Sequence, residues 1–408
     1  MLKSFPIRPA DLRAYNRLAI DATIAATDLV ENLHHNISRL PGVFAAPTDE
    51  PARGITGFVY RSIRAITRKV GGGIDIALRA FLPDTPAPVS NAQRERLVSA
   101  LNGVVGDYLL ESGNALQIPM RFRRNGAALE LTSEALARSI PAASGKIVVL
   151  VHGLCMSDLQ WRRREHDHGE ALALDAGFTP VYLHYNSGLH ISTNGRELAS
   201  RLEELIQAWP VEVEQVAIIG FSMGGLVARS ACEVARTSGF GWLTRLRDMV
   251  FIGTPHDGSP LERKGHRLDL ILDASPYTAA LARLGKLRSA GITDLRHAHL
   301  EDCEWCDEDR FAPRKSRRAA VPLPEGVRCY AIAGALGKKP AKPRRRPAGD
   351  GLVPLYSALG QHRSPQRNLG LAASRQRIVY GTTHLGLLDS DEVYAQLRAW
   401  LAPAIPGR

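Results

Sequence analysis

Ser222 lies in the run GFSMGG, from Gly220 to Gly225, and this G-x-S-x-G spacing is typical of an exposed nucleophilic serine. The apolar run 216–219 before it predicts a buried strand, and the residues from Leu226 onward predict a helix. A sharp turn between the two would put Ser222 in a strained backbone conformation with its hydroxyl outside the sheet. The pattern indicates nucleophilic catalysis. The alternative is an inert serine in a glycine-rich turn.

The first glycine of this motif and the glycine two residues after the serine have a predicted steric role. A side chain at Gly220 or Gly224 would collide with the neighbouring strand or helix. The helix that begins after Ser222 would also present backbone N–H groups and a positive dipole end to an oxyanion.

A nucleophilic serine needs a base and a group that orients the base. If the chain order is serine, acid, histidine, the base follows the last strand, where His384 stands in GTTHLG. The acid is then expected after the preceding strand, where Asp350 stands between two glycines. An ordinary turn residue is the alternative for Asp350, and a surface or core residue is the alternative for His384. Asp257 and Asp273 are the competing acids.

Two backbone N–H groups are candidates for an oxyanion hole. One belongs to Met223, directly after the serine, and the other to Leu154 in the loop after an earlier apolar strand. Gly153 permits the turn of that loop. We expect the ring of His152 to hold the loop in place and not to act as the base.

Short apolar runs alternate with helical patterns around these residues. Predicted strands are 146–151, 179–185, 216–219, 248–253, 327–334 and 376–381, with shorter ones at 118–123 and 128–132. Predicted helices are 158–176, 193–208, the stretch from 226, and 389–400. The alternation predicts an α/β fold with a mostly parallel sheet and helices on both faces.

Helical patterns also cover residues 9–40, 57–82 and 91–111, without a catalytic constellation. We therefore predict an N-terminal helical region at 1–115 and a catalytic domain at 116–408. The second pattern is basic and broken by three glycines. Its apolar face is expected to pack on the main domain, and binding at a membrane surface is the alternative.

The predicted catalytic domain contains an insertion at about 257–326. It is either a mobile lid or a static wall of the pocket. Within it, Cys303 and Cys306 lie close to His297 and His299. One C-x-x-C pair is weak support for zinc, so no metal is predicted. The run 166–168, His-Asp-His, is interpreted as a solvated helix face.

The 408 residues are 45% hydrophobic and 23% charged, as in ordinary globular proteins. The net charge of +11 is concentrated in clusters at 314–318 and 338–347. These are interpreted as solvated loops and not as a nucleic-acid site, because aromatic residues for base stacking are missing from the second. Five cysteines form no disulfide framework, and we find neither a secretory signal nor a membrane span. A cytoplasmic location is expected.

Five motifs, VHGL, GFSMGG, GTPHDGSPLE, GDGLVP and GTTHLGLL, occur in this order between about 145 and 401. Together they resemble the lipase and esterase branch of the α/β-hydrolases, and especially bacterial GPI-inositol-deacylase-like lipases. The N-terminal helical region also resembles the leading segment of bacterial members of that group.

The resemblance implies hydrolysis of a carboxylic ester or lipid-like substrate without a cofactor, through an acyl-enzyme on Ser222, Asp350 and His384. Peripheral membrane contact is compatible with it. It implies no GPI substrate. A thioesterase or acyltransferase on the same residues, and a non-catalytic lipid- or partner-binding protein, are the alternatives.

Overall fold

The structure is a computed structural model that describes residues 11–24, 65, 67, 69, 92–258, 289–305, 321–338 and 349–402. These residues fall into two compact units. The first contains the described residues up to 94 together with 109–117, and the second contains 95–108 and those from 118 onward. The predicted domain bounds of 1–115 and 116–408 stay a prediction.

Helices and strands alternate along the described residues from 121 onward, and two helices precede them. The helices are α1 (residues 11–24), α2 (Ala92–Glu111), α3 (Ser133–Ser139), α4 (His168–Ala176), α5 (Ile191–Gln207), α6 (Met223–Ser238), α7 (Ala290–His297), α8 (Leu355–Ala358) and α9 (Asp391–Leu401). The strands are β1 (Arg121–Arg124), β2 (Ala127–Ala128), β3 (Lys146–Val151), β4 (Thr179–His184), β5 (Gln215–Phe221), β6 (Leu246–Ile252), β7 (Arg328–Ala335) and β8 (Gln376–Tyr380). They form one sheet in the order β2-β1-β4-β3-β5-β6-β7-β8.

From β4 to β8 every neighbouring pair in this sheet is parallel, and only β1 and β2 add antiparallel pairs at one edge. The predicted mostly parallel sheet is confirmed. The carboxyl ends of β5, β6 and β7 lie side by side, so the loops after them meet at one edge of the sheet. The predicted strand at 128–132 is wrong beyond residue 128, because Thr132 caps α3 by accepting from Ala135 N.

The two faces of the sheet use alternate residues of the same strands. Side chains such as Val148 and Ile219 share one cluster with Leu172 of α4 and Leu397 of α9. Residues of the opposite parity, such as Val149, are also fully buried. On that side α5 and α6 pack against each other, and α6 contacts β3 and β6. Helices therefore cover both faces, as predicted.

The predicted helix at 158–176 is wrong over its first half. Residues Asp158–Trp161 form one 3-10 turn, and α4 begins only at His168. The Asp167 carboxylate accepts from Gly169 N and Glu170 N, which makes Asp167 the N-cap of α4. Periodicity does not reveal this cap, because the apolar residues on either side of the break keep a helical spacing.

The first unit contains α1 and both ends of α2 (92–94 and 109–111), and Arg94 Nη2 donates to Asp11 Oδ1 at 2.6 Å within it. The predicted helix at 91–111 is confirmed, with a kink at Val105. The predicted helix at 9–40 is confirmed over 11–24, and its remainder lies outside the described residues. Of the stretch 57–82, only Ala65, Thr67 and Lys69 are described, and all three are helical.

Part of the predicted insertion, residues 289–305, is described, and it is fixed to the start of α5. Asp294 Oδ2 lies 3.0 Å from His190 Nδ1, and the ring of Trp305 stacks on that of His190 with centroids 3.6 Å apart. Residues 259–288 and 306–320 lie outside the description, so the choice between lid and static wall stays open. Cys306 and the side chain of His297, which the sequence analysis considered as weak candidates for zinc ligands, also lie outside the description.

The described residues offer neither a membrane span nor a cluster of metal ligands. No described helix is both long enough and apolar enough to cross a bilayer. The described side chains also contain no group of three or more metal-ligand types in ligating arrangement. The predicted cytoplasmic location and membrane-surface contact stay predictions.

Candidate active site

The turn between β5 and α6 holds Ser222 in an unusual conformation. Its φ is 53° and its ψ is −124°, a region that non-glycine residues rarely adopt. Hydrogen bonds fix the turn, from Ser222 N to Ile252 O at 2.8 Å and from Gly225 N to Ser222 O at 3.1 Å. The serine side chain does not cap α6, so the hydroxyl is not used to satisfy the helix terminus.

The two glycines around Ser222 are required by close backbone approaches. A Cβ on Gly220 would lie 2.4 Å from Gly225 Cα, and one on Gly224 would lie 2.2 Å from Val151 O. Both contacts are with backbone atoms, which cannot rotate away. The start of α6 therefore packs against β3 more closely than any residue with a side chain permits.

Gly224→Ala is expected to lower the free energy of unfolding by about 3 kcal/mol, because the new methyl group would overlap the backbone of β3. Urea denaturation followed by circular dichroism measures the change. Gly337→Ala is the matched control, since a Cβ there meets no atom within 4 Å. Equal midpoints for the two variants would show that the turn can relax and would contradict the prediction.

His384 and Asp350 form a buried pair. His384 Nδ1 lies 2.7 Å from Asp350 Oδ2. The other carboxylate oxygen, Oδ1, accepts from Leu352 N at 3.0 Å and from Val353 N at 2.8 Å. Because an ionised carboxylate only accepts, Nδ1 of His384 carries the proton in this pair, and Nε2 is left as an acceptor. The aspartate thus fixes both the orientation and the tautomer of the ring.

Glycines at the ends of two strands make room for this pair. A Cβ on Gly253, after β6, would lie 3.0 Å from His384 Cε1, and one on Gly334, in β7, would lie 2.9 Å from Asp350 Cβ. Gly253 also has a φ of 59°. Our sequence reasoning missed both residues. The available signal was a glycine at the carboxyl end of a parallel strand, where close approach to a site is common.

Ser222 and His384 line one cavity of about 490 Å³. The ring of Phe221, the residue before the serine, lies 4.8 Å from the ring of His384, centroid to centroid. The structure therefore brings together three predicted residues that are up to 162 positions apart: Ser222, Asp350 and His384. Five further residues of the lining are apolar: Leu154, Met156, Leu352, Leu385 and Leu388.

Of the two predicted oxyanion donors, Leu154 lines this cavity and Met223 directly follows Ser222, which also lines it. Met223 is the first residue of α6, so its N–H has no acceptor within the helix. Gly153 stands against the nucleophile, because a Cβ there would lie 3.0 Å from Ser222 Cβ. The loop after β3 and the start of α6 are therefore placed on either side of the serine.

His152 lies behind this loop and outside the cavity lining. Its Nδ1 lies 2.8 Å from Gly153 O, and its ring stacks on Tyr185 with centroids 4.3 Å apart. Tyr185 Oη donates to His152 O at 2.8 Å. Burial lowers the pKa of His152 to about 4, so the ring is neutral near pH 7. These contacts suit a residue that holds the loop.

Neither of the competing acids, Asp257 and Asp273, is seen in contact with His384 among the described residues. Asp257 lies beside Arg367 and His362, with Oδ2 3.7 Å from His362 Nε2. Asp273 lies outside the described residues. The carboxylate hydrogen-bonded to His384 is that of Asp350.

The prediction that residues 166–168 form a solvated helix face is wrong. His168 is fully buried, and its Nε2 lies 3.0 Å from Leu387 O, three residues after His384. His166 Nε2 in turn lies 2.7 Å from His168 Nδ1. Burial lowers the pKa of His168 to about 4, so it supports the segment that follows His384 as a neutral donor. Helix α4 begins at His168 and not ten residues earlier, and its first residues, His168 and Gly169, are buried.

Comparison with known families gives one match. Residues 142–320 match the family model described as the PGAP1-like alpha/beta domain. The matched stretch includes Ser222, Met223 and Leu154 and ends before Asp350 and His384. No curated protein matches the sequence.

Solved structures similar to the chain include a lipase and two esterases. The mature form of lipase BlEst2 of Bacillus licheniformis is 17% identical, over 62% of this chain and 91% of that chain, with a TM-score of 0.41. Esterase Pf2001 of Pyrococcus furiosus is 15% identical, over 63% and 81%, with a TM-score of 0.36. A thermophilic esterase from Thermogutta terrifontis is 16% identical, over 64% and 90%, with a TM-score of 0.35. By its own strand order and its strand–turn–helix at Ser222, the chain has an α/β-hydrolase fold, and its residues 142–320 match the PGAP1-like alpha/beta domain model.

Proposed function

We propose that this protein is a serine hydrolase of carboxylic esters, with Ser222 as nucleophile, His384 as base and Asp350 as the acid that orients the base. The observation that carries the proposal is the buried 2.7 Å contact between His384 Nδ1 and Asp350 Oδ2, beside a strained serine that lines the same cavity. A serine needs an oriented base of this kind to become a nucleophile.

The first half of the reaction forms an acyl-enzyme. His384 Nε2 takes the proton of Ser222 as Oγ attacks the carbonyl carbon of the ester. The negative oxygen that forms accepts hydrogen bonds from the N–H groups of Met223 and Leu154. The carbon–oxygen bond to the alcohol then breaks, and the alcohol leaves with the proton held by His384.

Water completes the cycle. His384 takes a proton from a water molecule as the water oxygen attacks the acyl carbon. The bond between the acyl carbon and Ser222 Oγ then breaks. The proton returns to the serine, and the carboxylic acid leaves. Asp350 stabilises the imidazolium of His384 through Oδ2, while its Oδ1 accepts from two backbone N–H groups that hold the carboxylate in place. Thioester cleavage or acyl transfer would use the same residues with another leaving group or acceptor.

Hydrolysis of p-nitrophenyl esters from short to long acyl chains tests the proposal, together with labelling by a fluorophosphonate probe. Wild type is expected to turn over at least part of the series, and mass mapping is expected to find the probe on Ser222. Ser222→Ala should lose both, while Ser200→Ala, which changes an exposed serine of α5, should keep both. Wild-type protein that neither cleaves an ester nor takes the probe would favour the non-catalytic binding protein.

A further inference from the structure

Four arginines line the cavity that contains Ser222 and His384. They are Arg96 on α2 and the consecutive residues Arg162, Arg163 and Arg164, and we call them the arginine rim. Among the described side chains that line this cavity, none is acidic. The proposed hydrolysis of esters makes no use of these charges.

The arginine rim lies at the mouth of the cavity. Arg96 and Arg162 are exposed, and the side chain of Arg164 is 82% exposed. By contrast, Ser222 is 8% exposed and His384 is 5% exposed. The reacting groups therefore lie deeper, among buried apolar side chains such as Leu388 and Met156, and a ligand that fills the cavity would have an apolar inner end and a polar outer end.

The rim keeps an excess of positive charge. Arg163 Nε and Arg164 Nε lie 3.4 Å and 3.2 Å from the same atom, Asp389 Oδ2. For Arg96 and Arg162, no carboxylate of the described residues lies within ion-pair distance. Charges of one sign around a cleft with low-dielectric walls concentrate the field inside it and attract ligands of the opposite sign.

The loop that carries Arg162, Arg163 and Arg164 is anchored close to His384. Trp161, next to Arg162, is fully buried and lies edge-on to Phe221, with centroids 6.3 Å apart. The contact of His168 with Leu387 O, at 3.0 Å, ties the end of the same loop to the segment after His384. The backbone of the three consecutive arginines is therefore anchored on both sides to segments next to Ser222 and His384.

We infer that the cavity selects acyl esters whose alcohol part carries a phosphate, with the acyl chain on the apolar floor and the phosphate on the guanidiniums of Arg96 and Arg162, which have no carboxylate partner among the described residues. This inference rests on the proposed ester hydrolysis. Guanidinium groups bind phosphate through two parallel hydrogen bonds. Two arginines without carboxylate partners match the double negative charge of a phosphate monoester.

A matched pair of substrates tests the selection: octanoylglycerol and octanoylglycerol phosphate, which share the acyl chain and differ only in the phosphate. We expect wild type to prefer the phosphate ester by about tenfold or more in kcat/KM. In the double variant Arg96→Gln, Arg162→Gln the ratio should fall toward one. Arg247→Gln changes an exposed arginine at the amino end of β6, on the opposite edge of the sheet, and should leave the ratio as in wild type.

Binding to the Ser222→Ala protein separates this inference from the hydrolase proposal. Decyl phosphate should bind more tightly than decanol and more tightly than inorganic phosphate, and the two arginine substitutions should remove that preference. This result supports the inference even if no ester is cleaved. Equal cleavage of both octanoyl esters, with equal binding of decyl phosphate and decanol, would overturn the inference and leave the hydrolase intact. Inorganic phosphate that binds as tightly as decyl phosphate would also overturn it, because the ligand would then be free phosphate.

Discussion

His384→Gln lowers kcat for ester hydrolysis by about a millionfold, if the proposed chemistry is correct. Glutamine can donate to Asp350 in place of Nδ1, but it offers no nitrogen that takes a proton near neutral pH. Ser222 then keeps its proton, and a neutral hydroxyl is a poor nucleophile. The residual rate over water would come from the oxyanion donors and from substrate binding. Initial rates with a p-nitrophenyl ester measure the loss.

His190→Gln is the matched control for this change. His190 also lies on a carboxylate, with Nδ1 3.0 Å from Asp294 Oδ2, but it is not among the residues that line the cavity. We expect this variant to keep near wild-type kcat. Loss of activity in both variants, together with a lower melting temperature, would indicate a general effect on folding. A His384→Gln enzyme with rates within tenfold of wild type would exclude His384 as the base.

The turn at Ser222 could be predicted from sequence because all of its determinants are local. The strand, the serine, both glycines and the first turn of the helix lie within residues 215–238. Steric exclusion acts between atoms a few residues apart, so the spacing alone indicates the conformation. The chain order of strands and loops then placed Asp350 and His384 at the same edge of the sheet.

The support around the site could not be predicted, because it depends on contacts between distant segments. Gly253 and Gly334 are needed only because the ring of His384 and the carboxylate of Asp350 approach their strands. His168 has a role only because Leu387, 219 residues later, presents a carbonyl to it. A glycine at the end of a strand indicates that something approaches it closely, but the local sequence does not identify the approaching residue.

The arginine rim also could not be predicted, because it depends on how distant segments come together in the fold. Arg96 belongs to α2, and the run from Arg162 follows a buried tryptophan in a loop that periodicity predicts to be helical. On a continuous helix, three consecutive arginines would point in different directions. In the observed loop, Arg164 has a positive φ of 45°, and all three line one cavity with Arg96. The break before α4 therefore changes the predicted chemistry of the site as well as its secondary structure.

Asp350→Asn should lower kcat by about ten-thousandfold with little change in shape. Asp350 Oδ1 accepts from Leu352 N and Val353 N, so the amide oxygen of asparagine takes that place. The NH₂ group then faces His384 Nδ1, where it can only donate. The histidine must put its proton on Nε2, and that nitrogen can no longer take the proton of Ser222. One exchanged atom thus gives the base the wrong tautomer.

Rates with a p-nitrophenyl ester and the speed of fluorophosphonate labelling measure this effect, and thermal denaturation checks the fold. Asp294→Asn is the matched control, because Asp294 is also buried and also contacts a histidine. Its Oδ2 lies 3.0 Å from His190 Nδ1. We expect that variant to be active. If the kcat of Asp350→Asn stayed within tenfold of the wild-type value, the acid that orients His384 would have to be another residue. Asp257→Asn would then be the variant expected to lose activity, since Asp257 is the described competitor in the chain order.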